Sequence, residues 1–389
     1  MNITIHPKKL QGTVSVIPSK SLAHRYLICA ALADGSTHIR CTETSRDIDA
    51  TADCLRALGA AIERTNWGGY RVTPIREVPE KAVLSCRDSG STLRFLLPVA
   101  GALGVDATFQ MEGRLSQRPL SPLWEEMERM GCSLSRPAPD TIRCQGKLIE
   151  GEYTIDGGVS SQFITGLMFA QDIIGGECDL TITGHLESAP YVNMTLEALR
   201  LFSAPDFHSP GTVTVEGDWS NGAFWLAANK LGSDLEIRNL NPASCQGDQA
   251  AEKLLKDLKE SIEINVSDIP DLVPILAVTA AASQGAVFMN IARLRLKESD
   301  RVASTIAMIE ALGGKAADLG GHLVVHGTGL TGGTVDACND HRIAMAAAIA
   351  ATVCTEPVTI LGAECVEKSY PKFWAEYARL GGQYELNLR

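Results

Sequence analysis

One layout recurs six times along the chain and limits what it can fold into: an extended run, a short polar junction, then a helix-forming run rich in Ala, Leu and Ile. The segments are Val14–Ala33, Ala82–Gly104, Glu152–Ile174, Thr212–Leu231, Ile262–Ser283 and Thr334–Val353. Their junctions read Ser19-Lys20-Ser21, Asp88-Ser89-Gly90-Ser91, Ser160-Ser161-Gln162, Asp218-Trp219-Ser220-Asn221, Asp268-Ile269-Pro270-Asp271 and Asn339-Asp340-His341-Arg342. Spacing between junctions is roughly 70 residues and falls to about 50–60 around the fourth and fifth. A fixed period means one supersecondary unit used repeatedly. Six units in 389 residues exceed one core, so two similar lobes of three units each are expected.

The helices after the junctions are apolar on every side. Pro274–Ala282 and Ile343–Ala351 carry no charge at all, and a helix of that kind has to be buried on most faces. Amphipathic helices are predicted between them, over Asp47–Leu58, Pro119–Met130 and Arg301–Leu312, each followed by a Gly suited to a C′ position. The fold class is therefore α/β, built as α+β repeats with buried helices and outer β-sheets.

Several function classes are disfavoured. The net charge of −11 argues against a nucleic-acid partner. No run approaches the ~18 apolar residues of a membrane span. The start, MNITIHPKKLQGTV, has no apolar stretch behind basic residues, so a cytoplasmic protein is expected. The eleven cysteines are scattered without a C-x-x-C pair and read as free thiols. His322 and His326 lie in a strand-like run, so neither a metal nor a cofactor is expected.

Junction chemistry points to an anion. Ser, Asp and Asn at these places are good N-caps, and capping accounts for each hydroxyl or carboxylate taken singly. Cations recur beside them, however: Lys20, Arg25, Arg94, Arg118, Arg301, Arg342 and Lys368. Helix starts already favour negative charge, Arg suits bidentate contact with phosphate or carboxylate, and Gly90 would admit a ligand close to the backbone. Asp271, after Pro270, and Glu298, in Lys297-Glu298-Ser299-Asp300-Arg301, are the carboxylates that could move protons.

The stretches Pro18–Arg25, Ser89–Arg94, Gln117–Leu120, Ser160–Phe163, Ser188–Tyr191, Ile269–Asp271, Leu296–Arg301, Asn339–Arg342 and Glu367–Pro371 together resemble the 5-enolpyruvylshikimate-3-phosphate (EPSP) synthases, of the enolpyruvyl transferase family. They follow the family's order and span almost the whole chain. The resemblance implies the enolpyruvyl transferase fold, an inside-out α/β barrel, with residues 1–18 and 216–389 in one lobe, 19–215 in the other, and the active site in the cleft between them. It implies transfer of the enolpyruvyl group of phosphoenolpyruvate to the 5-hydroxyl of shikimate 3-phosphate, with release of phosphate; a monomer without membrane or nucleic-acid partners is expected beside it. By resemblance, Lys20, Ser21, Arg25, Ser160, Ser161, Gln162, Ser188, Tyr191 and Asp271 hold shikimate 3-phosphate. Lys20, Gly90, Arg118, Arg301, Arg342 and Lys368 hold phosphoenolpyruvate. Asp271 is then the base, Glu298 or Lys20 protonates the methylene carbon, and His341 with Arg342 steadies developing charge.

The chain departs from the family pattern at Asp88, His24 and Arg293, and it is short. After Phe202 and after Lys259 a β-hairpin of the repeat is missing. Two other readings compete: a degenerate, non-catalytic phosphometabolite-binding member, and transfer to a UDP-sugar. Retention of Asp271 with Glu298 speaks against the first. Lys20-Ser21 in place of a lysine-asparagine pair, and the absence of Cys from Met111–Gln117, speak against the second.

Overall fold

The computed structural model describes residues 1–387. Five of the six junctions place a side-chain cap on a helix. Ser19, Ser89, Ser160, Asp218 and Asp340 each accept from a backbone N–H in the first turn that follows. Each cap satisfies a donor the helix cannot pair internally.

The chain opens with β1 (Asn2–His6) and β2 (Gln11–Ser15), then runs through α1 (Lys20–Leu32), β3 (Thr37–Arg40), α2 (Arg46–Ala57), β4 (Ala61–Arg64) and β5 (Tyr70–Thr73). The second repeat holds β6 (Lys81–Arg87), α3 (Gly90–Leu103), β7 (Asp106–Met111), α4 (Leu123–Arg129), β8 (Cys132–Ala138) and β9 (Thr141–Gly146). The third holds β10 (Gly151–Asp156), α5 (Ser161–Ile174), β11 (Cys178–Thr183) and α6 (Ala189–Leu201). Then come β12 (Thr212–Thr214), α7 (Trp219–Lys230), β13 (Asp234–Arg238), α8 (Ala251–Asp257), β14 (Ile262–Asn265), α9 (Val273–Ala281), β15 (Gly285–Met289) and α10 (Arg301–Ala311). The last elements are β16 (Lys315–Leu319), β17 (His322–His326), β18 (Gly333–Asp336), α11 (His341–Ala350), β19 (Val358–Leu361), α12 (Phe373–Arg379) and β20 (Gln383–Asn387).

The chain forms two compact units, Met1–Ile17 with Gly217–Arg389, and Pro18–Glu216. Here they are called the terminal unit and the central unit. In the terminal unit every residue of α9 is buried, as an uncharged helix requires, and so is every residue of α11, whose polar side chains, His341 and Arg342, are its first two. Both pack with α7 into one apolar core that includes Ile275, Leu276, Ile343 and Trp225. Each such Leu or Ile contributes about 1.5–3 kcal/mol on burial. The amphipathic α2, α4 and α10 lie outside, and α2, α4 and α10 are followed by Gly59, Gly131 and Gly313 with positive φ. Helix α4 starts later than the pattern predicts, because Pro122 disfavours the helical region for Ser121 before it.

Four sheets share one plan, a parallel strand pair extended by two antiparallel strands: β12-β3-β5-β4, β6-β7-β9-β8, β14-β15-β17-β16 and β18-β19-β1-β20. Two sheets, β10-β11 and β2-β13, keep only the parallel pair. They are the sheets whose hairpins the sequence lacks after Phe202 and after Lys259. No helix among the described residues is long and apolar enough to cross a membrane.

Candidate active site

The fifth junction is the exception among the six, and the chemistry gathers there. Helix α9 has Leu272 at its N-cap position with no side-chain bond, so Asp271 is not a cap. Its carboxylate bridges two arginines: Oδ1 accepts from Arg301 Nη1 at 2.8 Å, and Oδ2 accepts from Arg342 Nη2 at 2.8 Å. Glu298 is not a cap either, since Asp300 caps α10. Glu298 Oε2 accepts from Arg301 Nη2 at 2.8 Å, and Asp340 Oδ2 accepts from Arg301 Nε at 3.0 Å. Arg301 is thus wholly buried among three carboxylates. Arg342 also donates to Ser220 Oγ at 3.1 Å, so the starts of α7, α9, α10 and α11 meet around this cluster. His341 opens α11 and is 1% exposed; Lys368 ends a 3-10 turn after β19 and is 4% exposed.

Charge sets the titration of this cluster. Burial pushes the Asp271 carboxyl up, but Arg342, Lys297 and Arg301 together outweigh it and hold the group well below the usual carboxylate range. Lys297 goes the other way. Burial, helped by Arg293 and Arg301, pushes its ammonium down to about 7 against the pull of Asp271 and Glu298. Lys297 was not among the residues that sequence reasoning selected. Its only signal was adjacency to Glu298; the cations and the burial that perturb it come from packing. Ser220 and Asp340, partners of the two arginines, were read as caps alone.

In the central unit, α1, α2 and α3 start side by side. Lys20 Nζ lies 3.0 Å from Asp47 Oδ2. Arg25, 2% exposed, donates to Thr195 Oγ1 at 2.9 Å, to the Ser21 carbonyl at 2.7 Å, to the Tyr191 carbonyl at 2.7 Å and to Thr165 Oγ1 at 3.4 Å. It also lies over the Phe95 ring. The structure therefore joins Ser21, Arg25 and Tyr191, with Thr165 and Thr195 as partners the sequence did not signal. Arg94 donates to Gln162 Oε1 at 2.8 Å and to the Pro119 carbonyl at 3.0 Å, and Gln162 Nε2 donates to Ser91 Oγ at 3.0 Å. Arg118 stands over Gly90: its Nη1 lies 2.7 Å from where a Cβ on that residue would be, so a larger residue there would displace the guanidinium. Ser160 caps α5 and Ser161 opens it. Ser188 precedes α6 with φ 57 and makes no capping bond. A non-glycine residue in that region is uncommon and is held by its surroundings.

Two departures from the family pattern acquire physical reasons. His24 is wholly buried, with Nδ1 2.7 Å from Thr51 Oγ1, so it braces α1 against α2. Arg293 is one of the cations that depress Lys297. Among the described residues no group of His, Cys, Asp and Glu is arranged to hold a metal.

This arrangement can bind anions at two sets of cations and offers a carboxylate held ionised between arginines. The family model described as EPSP synthase (3-phosphoshikimate 1-carboxyvinyltransferase) matches residues 5–264 and 255–377. A 3-phosphoshikimate 1-carboxyvinyltransferase of Clostridium kluyveri is 39% identical, covering 98% of this chain and 98% of its own length. That of Clostridium acetobutylicum is 38% identical, covering 98% and 97%. Among solved structures, an EPSP synthase from Acinetobacter baumannii superposes with a TM-score of 0.79 at 22% identity, over 99% of this chain and 100% of that one. The enolpyruvyl transferase NikO from Streptomyces tendae gives 0.73 at 18% identity, over 99% and 98%. At those identities the two structures speak to the fold alone.

Proposed function

The chain belongs to the EPSP synthase family, and we propose that the helix-start clusters of its two units divide that reaction between them. The enzyme is a transferase of the shikimate pathway: the enolpyruvyl group of phosphoenolpyruvate passes to the 5-hydroxyl of shikimate 3-phosphate, and phosphate is released. The curated relatives named above are 3-phosphoshikimate 1-carboxyvinyltransferases, which favours this reading over transfer to a UDP-sugar.

Shikimate 3-phosphate is assigned to Lys20, Ser21, Arg25, Ser160, Ser161, Gln162, Ser188 and Tyr191, with Asp271 at its reacting hydroxyl. Phosphoenolpyruvate is assigned to Lys20, Gly90, Arg118, Arg301, Arg342 and Lys368. The hydroxyl oxygen adds to C2 of phosphoenolpyruvate while its proton passes to Asp271. The methylene carbon takes a proton and becomes a methyl group. The methyl then returns a proton as the bond from C2 to the phosphate oxygen breaks. Lys20 and Glu298 compete for the donor's role, and Lys20→Arg against Glu298→Gln separates them. His341 and Arg342 steady the charge that develops.

The observation that carries this reading is the double clamp on Asp271, from Arg301 and Arg342. A carboxylate held that far down is a weak base. An incoming anion that takes those guanidinium donors releases Asp271 and lets its pKa climb, so base strength arrives with the substrate. Free, buried thiols such as Cys29, Cys54 and Cys86 suit the reducing cytoplasm, where the proposal places the enzyme. The test is phosphate release with both substrates, repeated for Asp271→Asn and Glu298→Gln, with binding followed by calorimetry. Binding without turnover in the unaltered chain would overturn the proposal.

A further inference from the structure

Strand β11 is an edge that the four complete sheets do not have; β13 in the other two-strand sheet is its counterpart, but three of its five residues, Asp234, Glu236 and Arg238, are charged. In the complete sheets the counterparts of β11 are β3, β7, β15 and β19, and each carries a parallel neighbour on one side and an antiparallel neighbour on the other. Strand β11 has the parallel neighbour β10, in unbroken register from Gly151↔Cys178 to Asp156↔Thr183, and no strand on its other side among the described residues. Native edges are usually blunted by several charged side chains, Pro or a bulge. β11, with the sequence Cys-Asp-Leu-Thr-Ile-Thr, has a single charge, Asp179, and neither Pro nor a bulge. Exposed apolar residues lie on it and on the next helix: Ile182 is 36% exposed, Leu196 38% and Leu201 41%. In the complete repeats the helix at the position of α6 packs on the outer hairpin strand, α2 on β4, α4 on β8 and α10 on β16. Helix α6 has no such strand to pack on.

We propose that a second copy of this chain supplies the missing strands, with β11 pairing antiparallel to its own copy across a two-fold axis. The result is a four-strand sheet, β10-β11 continued by the partner's β11 and β10, equal in width to the four complete sheets. One register suits self-pairing. With Thr181 opposite its own copy, Leu180 meets Ile182 on the apolar side and Asp179 meets Thr183 on the other, so no like charges are opposed. A six-residue strand pair falls short of the roughly 1,000 Å² that a lasting interface buries. Leu196 and Leu201, exposed on α6, are the apolar area that the same contact would have to include. A self-complementary patch of this kind closes as a dimer.

The test is sedimentation of the full chain across the micromolar range, for the unaltered protein, Thr181→Lys, Thr181→Glu and an equal mixture of the two variants. The unaltered chain should be a concentration-dependent dimer. Each variant alone should be monomeric, because like charges face each other at the axis, and the mixture should regain the dimer. Thr181 is an exposed side chain outside both helix-start clusters, so phosphate release checks that each variant is folded. An unaltered chain that stays monomeric throughout overturns the proposal. So does a dimer that survives Thr181→Lys, whose contact must lie elsewhere, or a mixture that stays monomeric.

Discussion

The arginines at the helix starts of the two units meet partners of opposite chemistry, while the central unit's Lys20 pairs with Asp47. In the terminal unit Arg301 and Arg342 face carboxylates, Asp271, Glu298 and Asp340. In the central unit Arg25 and Arg94 face neutral oxygens, those of Thr195, Thr165, Ser21, Tyr191, Gln162 and Pro119. A cation satisfied by neutral acceptors keeps its charge for a ligand. A cation satisfied by a carboxylate gives that charge up until an anion competes for it. The central unit is thereby suited to holding a phosphate, and the terminal unit to a proton transfer that begins on substrate arrival.

The strongest way to break this contrast is Arg301→Met. It strands Asp340, whose side chain is fully buried, together with two further carboxylates. Removing one partner of a buried pair costs about 3–5 kcal/mol, so the urea midpoint should fall sharply and turnover should vanish. An Arg301→Met chain as stable as the parent would mean that the cluster does not need its central cation.

Next in size is Asp271→Asn. Loss of a general base should lower kcat by about 10²–10⁴-fold. With no carboxylate left to displace from Arg301 and Arg342, the KM for phosphoenolpyruvate should fall. That opposite movement of the two constants would not follow from a merely structural role. Because Asp271 is held ionised well below the usual range, kcat/KM of the parent should show no acidic limb from it near neutrality. Lys297 supplies the other limb. Its ammonium is pushed down to about 7, so kcat/KM for an anionic substrate should decline as pH rises through that value. Lys297→Arg stays charged and should remove the decline; if the decline persists, another group sets it.

The contrast between the units was only partly legible in the sequence. The caps were readable, since Ser19, Ser89, Ser160, Asp218 and Asp340 sit just before charge-free or nearly charge-free helices. So were the buried helices, because an uncharged run such as that in α9 has no solvent-facing option. The missing hairpins could be read from the shortened spacing after Phe202 and Lys259. The clamp on Asp271 was not readable. It depends on α9, α10 and α11 bringing residues 271, 301 and 342 together, which a one-dimensional pattern does not encode. The neutral partners of Arg25 were hidden for the same reason: Thr165 and Thr195 look like ordinary helix residues. Strands β1 and β20, from the two ends of the chain, complete a sheet that four-strand repeats elsewhere build from local hairpins.

A smaller effect sharpens the central-unit side. Arg94→Met removes two charge-assisted bonds, to Gln162 and to the Pro119 carbonyl. Hydrogen bonds to charged groups contribute about 1.5–3 kcal/mol each at most, and Gln162 keeps its bond to Ser91. The KM for shikimate 3-phosphate should rise about tenfold, equivalent to about 1.4 kcal/mol, while kcat changes little. A fall in kcat with unchanged KM would place Arg94 on the reactive side and blur the division.

The smallest effect lies away from the helix starts and extends the same contrast. Asp172, near the end of α5, is an acid of the central unit whose carboxyl burial alone pushes up to about 6. No arginine holds it ionised, unlike the acids of the terminal unit. Its unfolded pKa is near 3.9, so the folded state binds the extra proton between about 4 and 6, and stability falls as pH rises through that window. Above it the buried charge remains as a constant cost. Asp172→Asn removes that cost without changing shape. The variant should melt a few degrees higher than the parent at pH 7.5, and the gap should close as the pH is lowered toward 4.5. A gap that is constant with pH would mean that Asp172 gains from solvent what the terminal unit's acids gain from arginine.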